Sequence, residues 1–342
     1  MRGEKARVSG EGSKGARGTR PEARTGLLTP SNPSPLTATS HFASLTSHPD
    51  SESVGAAVSR ARRILEDAGI PDSRREADEL YAALVGRATS AAWLERAERA
   101  PAALRERLEA AAGLRAAGSP QAYAAGRANF RGHWLAVDRR VLIPRPETEG
   151  LVDLVLEWLR GAAPRGGGAP LAVDVGTGSG AIAVALALEW PGLRVVAVDP
   201  SAGALAVARA NVAAHALGGR VALAQGRLVG PVEPGACDVV VSNPPYVATG
   251  DWERLDASVR DHEPREALDG GPNGLAVVRG LVSEARTALR PGGLLALEVD
   301  APRAESVADL AAASGFEGIT VSQDLFERPR YVRARRPADG SD

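Results

Sequence analysis

The chain has 342 residues, of which 44% are hydrophobic and 24% are charged, and its formal net charge is −1. This length is sufficient for two folded units, and the composition is typical of a globular protein. Because a near-zero net charge creates no overall attraction for polyanions, we expect no stable nucleic-acid binding and no membrane partner. No stretch contains the roughly 20 consecutive apolar residues that a membrane-spanning helix needs.

Cysteine and histidine usage argues against metal sites and disulfides. Cys237 is the only cysteine, so it cannot form a disulfide within the chain. The five histidines are scattered, without the spacing that metal ligands show. We therefore predict no metal, and we expect Cys237 to be a small buried core residue.

Both ends of the chain are predicted to be tails. Residues 1–51 are rich in Gly, Ser, Thr, Pro and Arg, with few large apolar side chains. Such a segment buries too little surface to offset the entropy of ordering, so we predict that it is disordered. Residues 337–342 are predicted to form a second, shorter tail.

Residues 52–118 are predicted to form a helical domain that docks a partner. From Val54 onward, apolar residues recur at steps of three and four, which is one face of a helix, and Gly69 and Pro71 end it. Three further helices are predicted: one capped by Asp72-Ser73, running to Leu84 and ended by Gly86, and two near 90–99 and 102–116.

Residues 119–144 are predicted to form a hairpin linker. Trp134–Val137 and Val141–Ile143 are short enough to be its two strands, with the turn at Asp138-Arg139. The remaining segment, residues 145–336, contains apolar runs of strand length that alternate with helical patterns. The predicted strands are Leu171–Val175, Val195–Val198, Val221–Leu223, Asp238–Ser242 and Leu294–Val299.

This alternation predicts an α/β fold with a doubly wound, mostly parallel sheet, because parallel strands need helical crossovers. Such sheets bind ligands outside the carboxyl ends of their strands. Glycines follow the first strand and precede a helix, so the backbone can turn sharply and approach a ligand. The predicted cofactor loop is Gly176, Thr177, Gly178, Ser179 and Gly180. This loop alone fits a nicotinamide or flavin dinucleotide as well as S-adenosylmethionine.

Two acidic residues accompany the loop. Asp199 ends the second predicted strand, where a carboxylate can accept hydrogen bonds from both hydroxyls of a ribose. That contact is possible for both cofactor classes. Asp174 lies inside the first strand, where burial is costly unless the loop or the ligand donates hydrogen bonds to it.

The fourth strand runs directly into Asn243-Pro244-Pro245-Tyr246. This quartet, the glycine loop, Asp199 and the sequence "VLIPRPETEGLV" ahead of the sheet together resemble the release factor glutamine methyltransferases. The similarity covers about residues 52–335, including "DSRREADELYAALVG", "EPREALDGGPNGL" and "DLFERPRYVRARR". It implies a Rossmann-like methyltransferase in the cytoplasm, with S-adenosylmethionine as cofactor and peptide chain release factors as protein substrate.

The quartet also has a physical interpretation. An amide nitrogen is a poor nucleophile, because its lone pair is delocalised into the carbonyl. We hypothesise that the Asn243 side-chain oxygen and the Pro244 carbonyl each accept one amide hydrogen, which orients the nitrogen and stabilises developing positive charge. The prolines, including Pro245, rigidify these acceptors, and Tyr246 offers a flat face to the substrate carboxamide. Asn243 is expected to touch the cofactor as well.

Four residues at three places in the chain depart from the family pattern. Gly226 and Arg227 stand where an acid usually accepts from the adenine amino group, so adenine recognition must use other groups. Asp300 stands where glycine is common, and Arg131 stands where an aromatic residue is common. The last change puts the packing of the hairpin in question rather than the chemistry.

Other functions remain open from sequence alone. A methyltransferase acting on a glutamine of a ribosomal protein would use the same quartet. Amino methylation of a flipped nucleic-acid base would also use it, although the balanced charge argues against this substrate. The absence of the adenine acid leaves a non-catalytic cofactor-binding module possible. A dehydrogenase has no use for Asn243-Pro244-Pro245-Tyr246.

Overall fold

A computed structural model describes residues 52–161 and 168–338. The tail predicted for residues 1–51 lies outside the described residues, as do residues 339–342 of the second tail. The amino-terminal helices are α1 (Val54–Asp67), α2 (Ser73–Val85), α3 (Ala91–Leu94), α4 (Ala102–Ala116) and α5 (Gln121–Ala125). They pack around their own core, in which Leu65, Leu80 and Leu108 are almost completely buried.

Two details of this helical region differ from the prediction. The helix expected near 90–99 covers only α3, because the carbonyls of Arg96 and Glu98 accept hydrogen bonds from Gly55 and Val54 at the start of α1. Asp72 precedes α2, but its side chain makes no capping hydrogen bond. Gly86 ends α2 in the left-handed conformation, as predicted.

Of the two predicted hairpin strands, Trp134–Val137 largely coincides with an observed strand, whereas Val141–Ile143 was wrong. The hairpin lies one strand earlier, with β1 (Arg127–Phe130) antiparallel to β2 (His133–Ala136). Arg131 and Gly132 form the turn with φ angles of 51° and 77°, the two positive values that a tight hairpin turn favours. The chain does turn at Asp138, where the Val141 N–H donates to the Asp138 carbonyl at 3.0 Å, but this turn does not connect two strands. The Asp138 carboxylate accepts from the backbone N–H and the guanidinium of Arg140.

The large sheet has seven strands in the order β5-β4-β3-β6-β7-β9-β8. Its strands are β3 (Leu171–Val175), β4 (Arg194–Asp199), β5 (Val221–Gln225), β6 (Cys237–Ser242), β7 (Leu289–Glu298), β8 (Glu317–Gln323) and β9 (Pro329–Arg335). The five predicted strands are confirmed and are parallel to one another. Strands β8 and β9 are antiparallel additions at one edge.

Helices cover both faces of this sheet. They are α6 (Pro146–Gly161), α7 (Ala181–Glu189), α8 (Ala202–Ala214), α9 (Ala257–Arg260), α10 (Ala276–Ala288) and α11 (Ala304–Ala313). Short 3₁₀ turns cover Thr249–Arg254, Arg265–Ala267 and Ala301–Arg303. One apolar core lies under α6 and α7, and a second lies under α10 and α11. The predicted doubly wound α/β fold is therefore confirmed.

In the described ranges, no helix is both long and apolar enough to cross a membrane. Residues 52–161 and 168–338 also contain no cluster of His, Cys, Asp and Glu side chains able to hold a metal ion. Cys237 is buried in the sheet, and its thiol lies 3.1 Å from the Ala288 carbonyl oxygen.

Candidate active site

A cleft with a cavity volume of about 190 Å³ opens at the carboxyl ends of the central strands β3, β4 and β6. This is the edge at which a doubly wound sheet binds its ligands. Of the predicted site residues, the cleft is lined by Gly176, Gly178, Asp199, Asn243, Pro244 and Pro245. The structure thus brings together three motifs that are up to 69 residues apart in the sequence, counting from Gly176 to Pro245.

The glycine loop is tied to the neighbouring strand. The backbone N–H groups of Gly176 and Thr177 both donate to the Val198 carbonyl, at 2.8 and 3.0 Å. Gly176 has a φ angle of 70°, and a Cβ added to it would meet no atom within 4 Å. The loop therefore presents bare backbone to the cleft, as a close approach to a ligand requires.

Asp199 connects the loop to the end of β4. One carboxylate oxygen accepts from the Gly178 N–H and the other from the Ser201 N–H, both at 2.9 Å. Burial raises the pKa of Asp199, while these two N–H donors oppose that shift. Because each carboxylate oxygen has two lone pairs, Asp199 can still accept hydrogen bonds from a ligand in the cleft.

Three residues of the predicted loop do not line the cleft. The Thr177 hydroxyl donates to Asp174 Oδ2 at 2.6 Å, and the Ser179 carbonyl accepts from the Asn211 side chain at 2.8 Å. A Cβ on Gly180 would lie 3.3 Å from the Ala208 Cβ, so this glycine permits close helix packing. These residues therefore support the loop through contacts with the rest of the fold, without lining the cleft.

Asp174 is completely buried under the loop. Burial raises its pKa to about 7, although the Thr177 hydroxyl and the Ala183 N–H donate to the carboxylate and lower it. Its Oδ1 atom is buried with no hydrogen-bond partner among the described residues. Asp174 thus fixes the loop and retains one acceptor.

In the quartet after β6, a hydrogen bond with Thr148 orients the Asn243 side chain. Asn243 Nδ2 donates to the Thr148 hydroxyl oxygen at 3.0 Å, which leaves Asn243 Oδ1 as the acceptor beside the cleft. In the described part of the chain, no hydrogen bond to the Pro244 carbonyl is formed, and Pro245 has no N–H to offer. Asn243 Oδ1 and the Pro244 carbonyl are therefore both available as hydrogen-bond acceptors, and both residues line the cleft.

Tyr246 does not line this cleft. Burial raises the pKa of Tyr246 to about 12, and the charges of Glu298, Arg330, Asp300 and Arg145 also act on it. Tyr246 therefore belongs to the neighbouring region between the quartet, β7 and β9. The role assigned to Tyr246 from sequence, an aromatic face for the substrate carboxamide beside Asn243, stays a prediction.

A glycine-rich segment clamps the backbone of the quartet, and sequence analysis assigned it no role. The Val247 N–H donates to the Leu268 carbonyl at 2.9 Å, and the Gly270 N–H donates to the Val247 carbonyl at 2.8 Å. A Cβ on Gly270 would lie 2.6 Å from the Pro245 carbonyl oxygen. The paired glycines of "DGGPNG" were the available signal, because such pairs often mark close backbone contacts.

The segment ahead of the sheet is fixed by Glu263, whose side chain is nearly inaccessible. Its carboxylate pairs with Arg145 and accepts from the Ile143 N–H at 3.1 Å. The two acids of this segment have structural partners: the Glu147 carboxylate accepts from Arg328 at 3.3 Å, and the Glu149 carboxylate accepts from the Arg131 N–H.

The unusual hairpin residue Arg131 is held by charge rather than by aromatic packing. Its guanidinium forms ion pairs with Glu189 at 2.6 Å and Asp153 at 2.8 Å. The hydrogen bond with Glu189 is the main reason that the pKa of Arg131 is raised. These ion pairs join the hairpin to α6 and α7. They take the place of the packing that an aromatic residue at position 131 would provide.

Gly226 has a steric reason to lack an acidic side chain. A Cβ on Gly226 would lie 2.6 Å from the Pro231 Cγ and 3.0 Å from its Cδ. No real side chain tolerates the first distance, so an acid at this position requires Pro231 to move. The neighbouring Arg227 side chain is exposed.

Replacing Gly226 by Ala is therefore expected to destabilise the protein by about 1–3 kcal/mol, the usual effect of overpacking. The same change should weaken S-adenosylmethionine binding, because Gly226 and Leu228 line the cleft. Urea unfolding and calorimetry would measure the two effects. Gly219→Ala is the matched control, since a Cβ there meets nothing within 4 Å. Equal unfolding free energies for both variants would contradict the steric explanation.

Comparison with known proteins agrees with this geometry. The family model described as "Methyltransferase small domain" matches residues 163–258, and the one described as "PrmC N-terminal domain" matches residues 56–126. A release factor glutamine methyltransferase from Moorella thermoacetica is 43% identical over 283 residues, which cover 82% of this chain and 97% of that protein.

Further relatives carry the same name. The Gloeobacter violaceus protein is 45% identical over 193 residues, covering 56% of this chain and 66% of its own length. A solved structure of a release-factor-specific protein-(glutamine-N5) methyltransferase from Alicyclobacillus acidocaldarius is 30% identical, with coverage of 57% and 94% and a TM-score of 0.35. On its identity to the Moorella protein across nearly all of that protein's length, this chain belongs to the release factor glutamine methyltransferase family.

Proposed function

We propose that this protein uses S-adenosylmethionine to methylate the side-chain amide nitrogen of the glutamine in the Gly-Gly-Gln loop of class-one peptide chain release factors. The observation that carries the proposal is the pair of acceptors, Asn243 Oδ1 and the Pro244 carbonyl, at the edge of a cleft built by a methyltransferase loop. A primary carboxamide has two N–H groups, so it can donate one to each acceptor.

The cleft has the features that S-adenosylmethionine requires. The bare backbone of Gly176 and Gly178 accommodates the amino-acid portion, and the Asp199 carboxylate can accept from ribose hydroxyls. Apolar side chains of Leu228, Val277 and Leu281 line the cleft and offer a surface for adenine. This apolar wall can bind adenine even though position 226 carries glycine instead of an acidic residue. When bound, S-adenosylmethionine supplies an electrophilic methyl group on a positively charged sulfur.

The protein's own contribution is to make the substrate amide reactive. Two hydrogen bonds, to Asn243 Oδ1 and to the Pro244 carbonyl, hold the nitrogen in one orientation and favour its pyramidal form. Positive charge develops on the nitrogen as it reacts, and both acceptors strengthen as that charge grows. Oriented, rigid acceptors therefore lower the barrier without requiring a residue to remove a proton first. The amide hydrogens become acidic after methylation, so water can take the released proton.

The other parts of the chain have supporting roles in this proposal. Residues 52–118 dock the release factor, residues 119–144 link the two parts, and residues 145–336 carry out catalysis. The helical region presents Trp93 and Leu94 to solvent with more than half of each side chain exposed, which suits contact with a protein. Release factors act in the cytoplasm, so we place the reaction there.

The decisive experiment is to incubate the purified chain with methyl-labelled S-adenosylmethionine and a class-one release factor. We expect label on the release factor, and none when the glutamine of its Gly-Gly-Gln loop is replaced by Ala. Ribosomal proteins and a DNA or RNA substrate should be tested in parallel. Label on either of these, with none on the release factor, would replace the proposed substrate. If calorimetry detects no S-adenosylmethionine binding, the remaining interpretation is that the protein is a non-catalytic module.

A further inference from the structure

The orientation of the Asn243 side chain decides whether the proposed site works. An asparagine amide can rotate by half a turn, which exchanges its oxygen and its nitrogen. With the oxygen at the substrate side, Asn243 accepts a hydrogen from the substrate amide. With the nitrogen there, it presents an N–H to another N–H, and the substrate is repelled. In the structure, Asn243 Nδ2 points to Thr148 Oγ1 at 3.0 Å, so the oxygen is correctly placed.

Thr148 alone does not enforce this orientation. A hydroxyl group is both donor and acceptor, so it could equally donate to the oxygen of a rotated Asn243. The Thr148 hydroxyl also acts on the buried Glu298 carboxyl group, whose pKa it lowers as a hydrogen-bond donor. An ionised carboxylate only accepts, so it takes the hydroxyl proton of Thr148. The Thr148 oxygen then remains only as an acceptor, and this selects the Asn243 nitrogen.

All three groups are held firmly by the fold. Strand β6 pairs with β7 through Ser242 and Leu297, so Asn243, directly after β6, and Glu298, the last residue of β7, come next along the two paired segments. Thr148 is 5% exposed and Glu298 is 1% exposed. Among the described residues, Glu298 Oε2 has no hydrogen-bond partner.

Close packing fixes Thr148 in the first turn of α6. The Tyr331 hydroxyl donates to the Glu147 carbonyl at 2.5 Å. The Tyr331 ring crosses the helix at Gly150, where a Cβ would overlap the ring and its hydroxyl group. Burial raises the pKa of Glu298 to about 7, so the carboxylate is mostly ionised at mildly alkaline pH.

From these contacts we infer that Thr148 and Glu298 are positioning residues, which act through Asn243 to keep its oxygen directed at the substrate amide. This inference deepens the proposed function and rests on it. Neither residue touches the reacting atoms in this arrangement. Their removal should therefore reduce turnover while leaving cofactor binding nearly unchanged.

The test compares two substitutions of Thr148. Thr148→Val keeps the shape and removes the hydroxyl, so kcat should fall by about 10–100-fold, as when a supporting hydrogen bond behind a functional group is lost. Thr148→Ser restores the hydroxyl and should lose no more than about threefold. Both should keep the Kd for S-adenosylmethionine within about threefold. Thr320→Val, on the exposed strand β8, is the control for the substitution itself.

A double-mutant cycle separates positioning from a general structural effect. When Thr148→Val is added to Asn243→Ala, kcat should fall by less than about a further twofold, because the side chain on which Thr148 acts is already absent. A full additional 10-fold loss would overturn the inference. Equal loss in Thr148→Val and Thr148→Ser would also overturn it.

A readout without substrate distinguishes this inference from the proposed function. The Asn243 side-chain NH₂ signals in a ¹⁵N spectrum can be assigned by their loss in Asn243→Ala. Their hydrogen exchange should be slow in the natural protein and in Thr148→Ser, and at least about 10-fold faster in Thr148→Val. If the natural protein labels no release factor, the proposed function fails, and the exchange rates still decide the inference. Fast exchange in the natural protein would refute it.

Discussion

Asn243→Ala is expected to lower kcat by about 10²–10³-fold, the range found when one preorganised hydrogen-bonding group is removed from a site of developing charge. The Kd for S-adenosylmethionine should change by less than about threefold, because Asn243 is only one part of the cleft and its oxygen matters most as charge develops. Single-turnover methylation and calorimetry would measure the two quantities separately.

The matched control is Asn129→Ala, in which the same side chain is removed from the hairpin. Asn129 accepts from the Gly132 N–H in the hairpin turn and lies outside the cleft. Its loss should change turnover little. Asn243→Ala with near-normal turnover would show that the Pro244 carbonyl alone orients the substrate, and the two-acceptor proposal would then be wrong. A parallel loss of cofactor affinity would instead assign Asn243 to cofactor binding.

The fold class and the place of the site could be predicted from sequence because both depend on local patterns. Five apolar runs of strand length alternate with helical patterns, and parallel strands bring their carboxyl ends to one edge. The residues that follow β3, β4 and β6 must then be neighbours in space. This is why Gly176, Asp199 and Asn243 line one cleft although long segments separate them in the sequence.

The antiparallel edge of the sheet was not predicted from residue patterns. Strand β8 is an edge strand whose residues are mostly exposed, so it has no apolar run. Strand β9 contains Arg330, Arg333 and Arg335. These arginines interrupt its apolar residues, so the sequence shows no apolar run of strand length there. The hairpin was misplaced for a related reason: Arg131 adopts a positive φ angle that its residue type rarely takes. Its ion pairs with α6 and α7 hold it there, and these are long-range contacts.

The direction of individual side chains in the site also depended on tertiary contacts. Thr177 and Ser179 lie in the cofactor loop, yet Thr177 binds Asp174 and Ser179 is buried. Nothing in their immediate sequence distinguishes them from Gly176 and Gly178. Thr148 was also beyond sequence reasoning, because its hydroxyl meets the Asn243 side chain only through the packing of α6 beside β6.

Tyr246→Ala is expected to raise the KM for the release factor or lower kcat, with a combined loss in kcat/KM of about 10–100-fold. An aromatic stacking contact accounts for about 1 kcal/mol of this loss, and the looser placement of the carboxamide accounts for the rest. Because Tyr246 does not line the cleft, the Kd for S-adenosylmethionine should stay within about threefold. Steady-state kinetics with varied release factor would measure the loss.

Tyr246→Phe should be mild, within about threefold, if the ring face is the working part. In the described part of the chain, no hydrogen bond from the Tyr246 hydroxyl is formed, so its removal leaves no partner unsatisfied. Tyr331 provides the contrast, because its hydroxyl donates to the Glu147 carbonyl, and Tyr331→Phe should therefore lower stability by about 1 kcal/mol. Equal damage to kcat/KM from Tyr246→Phe and Tyr246→Ala would assign the function to the hydroxyl, near Glu298 and Arg330, and would exclude stacking as its main role.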